Sequence, residues 1–296
     1  MKLFFLFSLI LNLGLVKAQS TDTVFKTNAG DNTLLWEISG NGLTKPSFLY
    51  GTFHLLCKDD IKFSDACKQA IVRSNKIYLE LDMNDPATLT GGLMLMNMKD
   101  GKKLKDLFTA DDYKKISNYF KDSLQTPIGL FQSIKPYFLM AMLYPKMLPC
   151  SAVSGIDEEI MKLAKENDKE IKGLETMAFQ ASVFDSIPYA KQAAELLEAI
   201  DSMDKSKKYF ALMIAAYKNQ QLNLIEKLMN EPGLGMEDNQ DVLLDDRNKN
   251  WVGQLKTIMK NEPVFIAIGA GHLIGEKGLI KLLRNEGYTV RALENK

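Results

Sequence analysis

The stretches FLYGTFHLLC (residues 48–57) and FIAIGAGHLIG (residues 265–275) hold the two histidines of this 296-residue chain. Each imidazole, His54 and His272, closes a Gly-x-x-His tetrad that follows an apolar run. Short apolar runs rich in aromatic and β-branched residues read as strands. A histidine directly after a buried strand lies at the carboxyl edge of its sheet, where open α/β sheets hold ligands. Gly51 and Gly269 permit a sharp turn or a close backbone approach beside each imidazole. The tetrads lie at opposite ends of the chain, so they share a cleft only if those ends close into one sheet.

The flanking sequence supports that closure. LLWEIS (34–39) and PSFLYGT (46–52), joined by the turn-rich GNGLTK, read as a hairpin. Ser64 and Asp65 can cap a helix running to about Ser74, and KIYLELD (76–82) then reads as a strand. From about residue 86 to residue 261 apolar residues recur at three-to-four spacing. TADDYKKISNYFKDS, IDEEIMKLAKEND, YAKQAAELLEAIDSM, KSKKYFALMIAAYKN and QDVLLDDRNKNWVGQLKTIMK are the clearest helices, and KEIKGLE (169–175) is a strand candidate among them. The chain ends as strand 263–269, a helix from about Gly275 to Asn285, Gly287 at a helix-ending position, and a strand TVRAL. The expected fold class is α/β (α+β): a central sheet built from the N- and C-terminal segments, with a large helical insertion. Residues 19–296 are expected to form one domain.

Residues 1–18 have the layout of a cleaved secretory signal: Lys2, an apolar run from Leu3 to Val16, and a small-residue exit at Ala18. The expected destination is the periplasm or the exterior. No other stretch has the 18 or so apolar residues of a membrane helix, so no span is expected after signal cleavage. Cleavage removes two lysines and no acid, leaving 35 bases against 37 acids. That balance argues against a nucleic-acid partner, which normally meets a basic surface. Three cysteines in an oxidising compartment suggest one disulfide, for which Cys57–Cys150 is the expected pair, and one spare thiol, Cys67. Met94, Met96 and Met98 read as core fillers or as a flexible substrate-facing surface.

Glu80, in YLELD, is the third candidate for chemistry. In an extended segment Tyr78, Glu80 and Asp82 share one face, and an unpaired buried carboxylate is expensive. A divalent ion held by two neutral imidazoles and Glu80 would satisfy all three groups, and its donor atoms would lie about 3–5 Å apart. The alternative is a carboxylate paired with Arg or Lys beside satisfied core histidines. Glu175 and Gln180 can reach the same edge from IKGLE, and Arg247 and Asn248 interrupt a helix pattern with side chains able to fork onto an anion. Each of these four reads equally well as solvated surface. No Gly-x-Ser-x-Gly, Walker, Gly-x-Gly-x-x-Gly or His-Glu-x-x-His motif occurs.

Taken together, YGTFHLL, YLELD, GLET with Gln180 downstream, DDRN and the closing IGAGHLIGEKGLIKLLRNEGYTV resemble the TraB/GumN family, which includes the Tiki metalloproteases. The resemblance runs from about residue 34 to residue 293. It implies an α/β core with an inserted helical region. For Tiki-like members it implies metal-dependent peptide hydrolysis requiring both tetrads and a glutamate, which here are His54, His272 and Glu80. Other members are linked to pheromone shutdown or polysaccharide gene clusters. The carboxyl end carries no apolar stretch of anchor length, so a Tiki-like cell-surface role is not expected. The leading expectation is an exported metal-dependent hydrolase, a peptidase acting on a peptide or protein, with Zn, Mn or Co as the ion. Catalytic roles fall to His54, His272, Glu80 and Arg247; Glu175, Gln180, Asn248 and Asp82 are the supporting or substrate-facing groups. The alternatives are a protein that sequesters a peptide or haem without turnover, and a purely structural domain.

Overall fold

The computed structural model describes residues 30, 32–83, 92, 94–231 and 239–296. The signal segment and the expected start of the insertion near residue 86 lie outside them.

Strands β1 (Leu35–Gly40) and β2 (Ser47–Thr52) form the expected hairpin, with Trp36 facing Leu49. A two-residue strand β3 (Leu56–Cys57) follows. Helix α1 (Asp65–Arg73) starts where Ser64 caps it, its hydroxyl accepting from the Cys67 N–H. Strand β4 (Lys76–Leu81) comes next. Helices α2 (Ala110–Asp122) and α3 (Pro136–Ala141), strand β5 (Val153–Ser154), helix α4 (Ile156–Glu166) and strand β6 (Glu170–Glu175) continue the chain. Then come α5 (Met177–Ser186), α6 (Tyr189–Asp201), α7 (Met203–Lys218) and α8 (Leu222–Met229). A π-type turn (Asp241–Asp245) runs into α9 (Asp246–Asn261), and the chain closes with β7 (Val264–Gly269), α10 (Leu279–Asn285) and β8 (Tyr288–Ala292).

The six-stranded sheet has the order β6-β4-β7-β2-β1-β8. Strands β6, β4, β7 and β2 are mutually parallel, whereas β1 runs against both β2 and β8. The two ends of the chain therefore meet at the β2–β7 ladder, Phe48 beside Phe265 through to Thr52 beside Gly269. The ladder forms because both runs are apolar on both faces: every residue of β2 is buried, and β7 is buried up to Gly269. The insertion is not wholly outside the sheet. Its KEIKGLE segment becomes the edge strand β6, and β5 pairs with β3 in a separate two-stranded ladder.

The sheet's core includes Trp36, Phe48, Phe265, Trp251 and Leu279. The inserted helices also carry a second core around Leu104, Ile116, Phe120, Leu139 and Leu196. Met98 is buried in that second core, while Met94 is 79% exposed. The last helix begins at Leu279 rather than at Gly275, because Gly275 takes φ 81° and the extended Gly278 forms the cap. Gly287 has φ 90°, as a helix-ending residue requires.

Cys57 and Cys150 are joined as a disulfide, and Cys67 is a buried free thiol. The bridge closes a 93-residue separation. In chain-entropy terms a loop of that length is worth up to about 4–5 kcal/mol, and measured native bridges give about 2–5 kcal/mol. Paired Cys57→Ser and Cys150→Ser substitutions are expected to lower the urea unfolding free energy by about 2–5 kcal/mol. A change below about 0.5 kcal/mol would show that the β3–β5 ladder holds the two segments together unaided.

Candidate active site

Parallel strands that lie side by side end on one edge, and here each of the four contributes to one cluster. Glu175 ends β6, Glu80 is the penultimate residue of β4, His272 stands in the turn after β7, and His54 follows β2. Arg247 and Asn248, in the first turn of α9, close the cluster from above.

The guanidinium of Arg247 bridges both acids. Its Nη2 donates to Glu80 Oε2 at 2.6 Å and to Glu175 Oε2 at 2.8 Å, and its Nε donates to Glu175 Oε1 at 2.9 Å. Nη1 donates to the Leu243 carbonyl at 3.0 Å, so the π-type turn before α9 supplies an acceptor. Glu80 also accepts from the Gly269 N–H at 2.9 Å through Oε1. Burial acts to raise the Glu80 carboxyl. The imidazole of His272, the Arg247 guanidinium, His54 and the Gly269 N–H outweigh burial and hold it at about 2. Glu80 is therefore ionised at neutral pH. Its Arg partner realises the alternative read from the sequence, yet Oε1 still lies 3.9 Å from His272 Nε2.

Both imidazoles are gripped at Nδ1. His272 Nδ1 lies 2.7 Å from Asn248 Oδ1. The amide nitrogen of Asn248 is committed as a donor to the carbonyls of His272 at 3.3 Å and Lys277 at 2.9 Å. Its oxygen is thus the acceptor, the proton sits on His272 Nδ1, and the Nε2 lone pair faces the Arg247 Nη1 donor at 3.2 Å. Burial, opposed by Glu80 and reinforced by Arg247, lowers this imidazole to about 3. Trp251 packs 4.4 Å from the His272 ring and lies under the Arg247 guanidinium at 4.8 Å. His54 is different: its side chain is 74% exposed, and Nδ1 lies 3.1 Å from Asp157 Oδ2. That hydrogen bond, with the charges of Asp157 and Glu80, pushes the His54 imidazole up to about 9.

The tetrad glycines are explained by what a side chain would strike. A Cβ on Gly51 would stand 2.8 Å from Leu273 Cδ1 and 3.2 Å from Ala270 Cβ, so its bareness lets the His272 turn lie against β2. A Cβ on Gly269 would stand 3.3 Å from Glu80 Oε1, 3.6 Å from His272 Cδ2 and 3.9 Å from His54 Nε2. The space beside Gly269 is thus bounded by all three residues, with His54 Nε2 and Glu80 Oε1 within about 7 Å of each other. Thr52, Gly269's partner in register, has a buried hydroxyl without a hydrogen-bond partner among the described residues. This is an orphan of the kind a water or ligand normally satisfies.

Gln180 stands apart from the cluster. The strand ends at Leu81, so the alternation that would align Asp82 with Glu80 stops, and Asp82 lines a groove with Met161, Lys165 and Lys169. Gln180 is half-buried in α5 and makes no side-chain hydrogen bond to the cluster among the described residues. Asp157, Thr52 and Trp251 are the residues that sequence reasoning missed. The only signal for Asp157 was an acid in the first turn of a helix, which occurs at many helices. Among the described residues no three His, Cys, Asp or Glu side chains are already gathered closely enough to hold an ion. Arg247 occupies Glu80, and Asp157 meets His54 at Nδ1.

The neutral state of His272 has a consequence for stability. An unfolded histidine takes up its proton near pH 6.5, whereas folded His272 resists until about 3, so acidification favours the unfolded chain across that window. Unfolding free energy is expected to fall as pH drops from about 6.5 towards 3, with a shallower slope in His272→Gln. Equal slopes in urea titrations of the two proteins would contradict the buried neutral imidazole.

Among known proteins, no solved structure matches the chain. Over 90% of its length it is 24% identical to the protein named Metalloprotease TIKI homolog from Amphimedon queenslandica, and over 88% it is 22% identical to Metalloprotease TIKI1 of Danio rerio. Metalloprotease TIKI1 of Homo sapiens is likewise 22% identical over 88% of the chain. The matches cover 62%, 63% and 61% of those relatives, so the chain spans about three fifths of their length. Among the described residues no helix is long and apolar enough to cross a membrane. The family model described as TraB/PrgY/gumN matches residues 34–292, which include all the strands and every member of the Arg247 cluster, and the chain belongs to that family.

Proposed function

We propose that this chain is an exported metal-dependent hydrolase that cleaves peptide bonds, with His54 and His272 as residues that would hold the ion and Glu80 as either a third ligand or the base that activates water. The observation that carries the reading is the space beside Gly269: a neutral imidazole, an ionised carboxylate and a second imidazole bound it, and only a glycine leaves it open. These donors suit Zn, Mn or Co. The similarity to relatives named metalloproteases supports the reaction class. The signal-like residues 1–18 and the Cys57–Cys150 disulfide support export, since such bridges persist in oxidising compartments.

A bound divalent ion would supply Lewis acidity and make water acidic enough to attack at neutral pH. The chain's own groups do the rest. Glu80 is ionised and can take a proton from the attacking water. Arg247, committed to Glu80, Glu175 and the Leu243 carbonyl, holds the two carboxylates in place at the strand ends. Asn248 keeps the His272 proton on Nδ1, so the Nε2 lone pair, which here faces Arg247 Nη1 at 3.2 Å, is the one that would have to leave that donor to bind an ion. His54 must give up the proton that Asp157 helps it retain before it can act as a ligand. Uptake of the ion is therefore expected to strengthen as pH rises through neutrality towards about 9, checked by cobalt titration at several pH values.

Substitution separates these roles. His54→Ala, His272→Ala and Glu80→Gln are each expected to lower peptide cleavage by about 10²–10⁴-fold. The two histidine variants should also lose divalent-ion uptake, measured by elemental analysis of purified protein whose circular dichroism matches the wild type. Failure of the wild-type protein to take up any divalent ion under any loading condition would sink the proposal, as would unchanged cleavage by His54→Ala. Ion uptake without cleavage of any peptide would instead point to sequestration.

A further inference from the structure

We propose that Asp157 is a positioning residue for His54, holding its ring through Nδ1 so that Nε2 is the atom presented to the space beside Gly269. The inference rests on the metal-site reading above but is carried by a separate part of the fold. Residues 150–157 form a clamp on residues 53–58. Cys57 is bonded to Cys150, Lys58 donates its N–H to the Ala152 carbonyl at 2.9 Å, and Leu56 and Cys57 pair with Ser154 and Val153. The Ile156 N–H then donates to the Phe53 carbonyl at 3.0 Å, one residue before the imidazole. Gly155 lies so close that a Cβ there would stand 2.6 Å from the His54 carbonyl oxygen.

The clamp delivers Asp157, in the first turn of α4, to 3.1 Å from His54 Nδ1. An exposed imidazole would otherwise turn freely about its side-chain bonds. A carboxylate that accepts from Nδ1 fixes both the ring plane and the tautomer, and leaves the Nε2 lone pair as the ligating atom. The other imidazole is arranged the same way by an unrelated device, the Asn248 amide. Two different side chains on two different helices thus impose one outcome on the chain's two histidines: Nδ1 is held, leaving His54 Nε2 towards Gly269 and His272 Nε2 towards Glu80. An acid placed in the first turn of α4 only to complement the helix dipole would have no need to meet a ring nitrogen from a segment 103 residues away.

The test uses full-length mature protein and cobalt(II) alone as the probe. With two histidines in the chain, nitrogen-15 spectra resolve each ring without ambiguity. At a pH where both rings are neutral and no metal is present, wild-type His54 is expected as the Nδ1–H tautomer. Asp157→Ala is expected to let it revert to a mixture, and Asp157→Asn, which keeps an acceptor oxygen, to restore it in part. At that same pH, where proton competition at His54 no longer separates the proteins, cobalt affinity is expected to fall about 10–100-fold in Asp157→Ala and less in Asp157→Asn. A wild-type His54 that is an unbiased mixture, or cobalt affinity unchanged in Asp157→Ala, would overturn the proposal. Should wild-type protein bind no cobalt, the metal reading fails by itself, and the tautomer spectra alone then decide whether Asp157 positions His54.

Discussion

Arg247 is the cation that allows two carboxylates to be buried at one sheet edge. Glu175 ends β6 and Glu80 is the penultimate residue of the neighbouring parallel β4; Leu81 is the register partner of Glu175, and it is one guanidinium that reaches both carboxylates. Buried anions side by side repel, and each has lost its water. The fork of one guanidinium satisfies three of their oxygens, and stacking over Trp251 covers its own face. Because Arg247 stands in the first turn of α9, this pairing also fixes that helix against the strand ends, and with it Asn248 and the Asn248 grip on His272.

The electrostatics of the site follow from that arrangement. One histidine is shielded from water and lies next to a permanent positive charge, so it remains neutral down to acidic pH. The other is exposed and lies next to a carboxylate, so it keeps its proton well above neutrality. Two identical side chains, each closing a Gly-x-x-His tetrad, are pushed in opposite directions by what packs on them. Such divergence in one cleft is common at sites that move protons or hold ions, because groups with different protonation states can do different work.

Much of the core was legible locally. The apolar runs of β2 and β7, the Ser64 cap and the three-to-four spacing of the helices each act over a few residues, so the sequence displays them directly. His54, His272, Glu80, Glu175, Arg247 and Asn248 were legible only as candidates, the last three reading equally well as solvated surface, because their meeting depends on the β2–β7 and β4–β6 ladders and on α9 packing over them. What did not show were contacts made by very short or unpatterned elements. The β3–β5 ladder has two residues a side, too few for any period. Asp157 looks like any acid at a helix start, Thr52 like any β-branched strand residue, and Asp82 like a continuation of a strand that in fact ends one residue earlier.

The sequence by itself determined that the two largely apolar runs leading into the Gly-x-x-His tetrads belong in the core, because such runs have too little polar surface to face water. It also determined that a carboxylate inside such a strand needs a partner, since desolvation leaves no other outcome. Only the tertiary structure decided who the partners are. Register places Thr52 beside Gly269, packing brings α9 over the strand ends, and a disulfide and a two-residue ladder carry Asp157 to His54. Those choices depend on contacts between residues far apart in the chain, whose free energies come from complementary shape and charge rather than from any pattern along it.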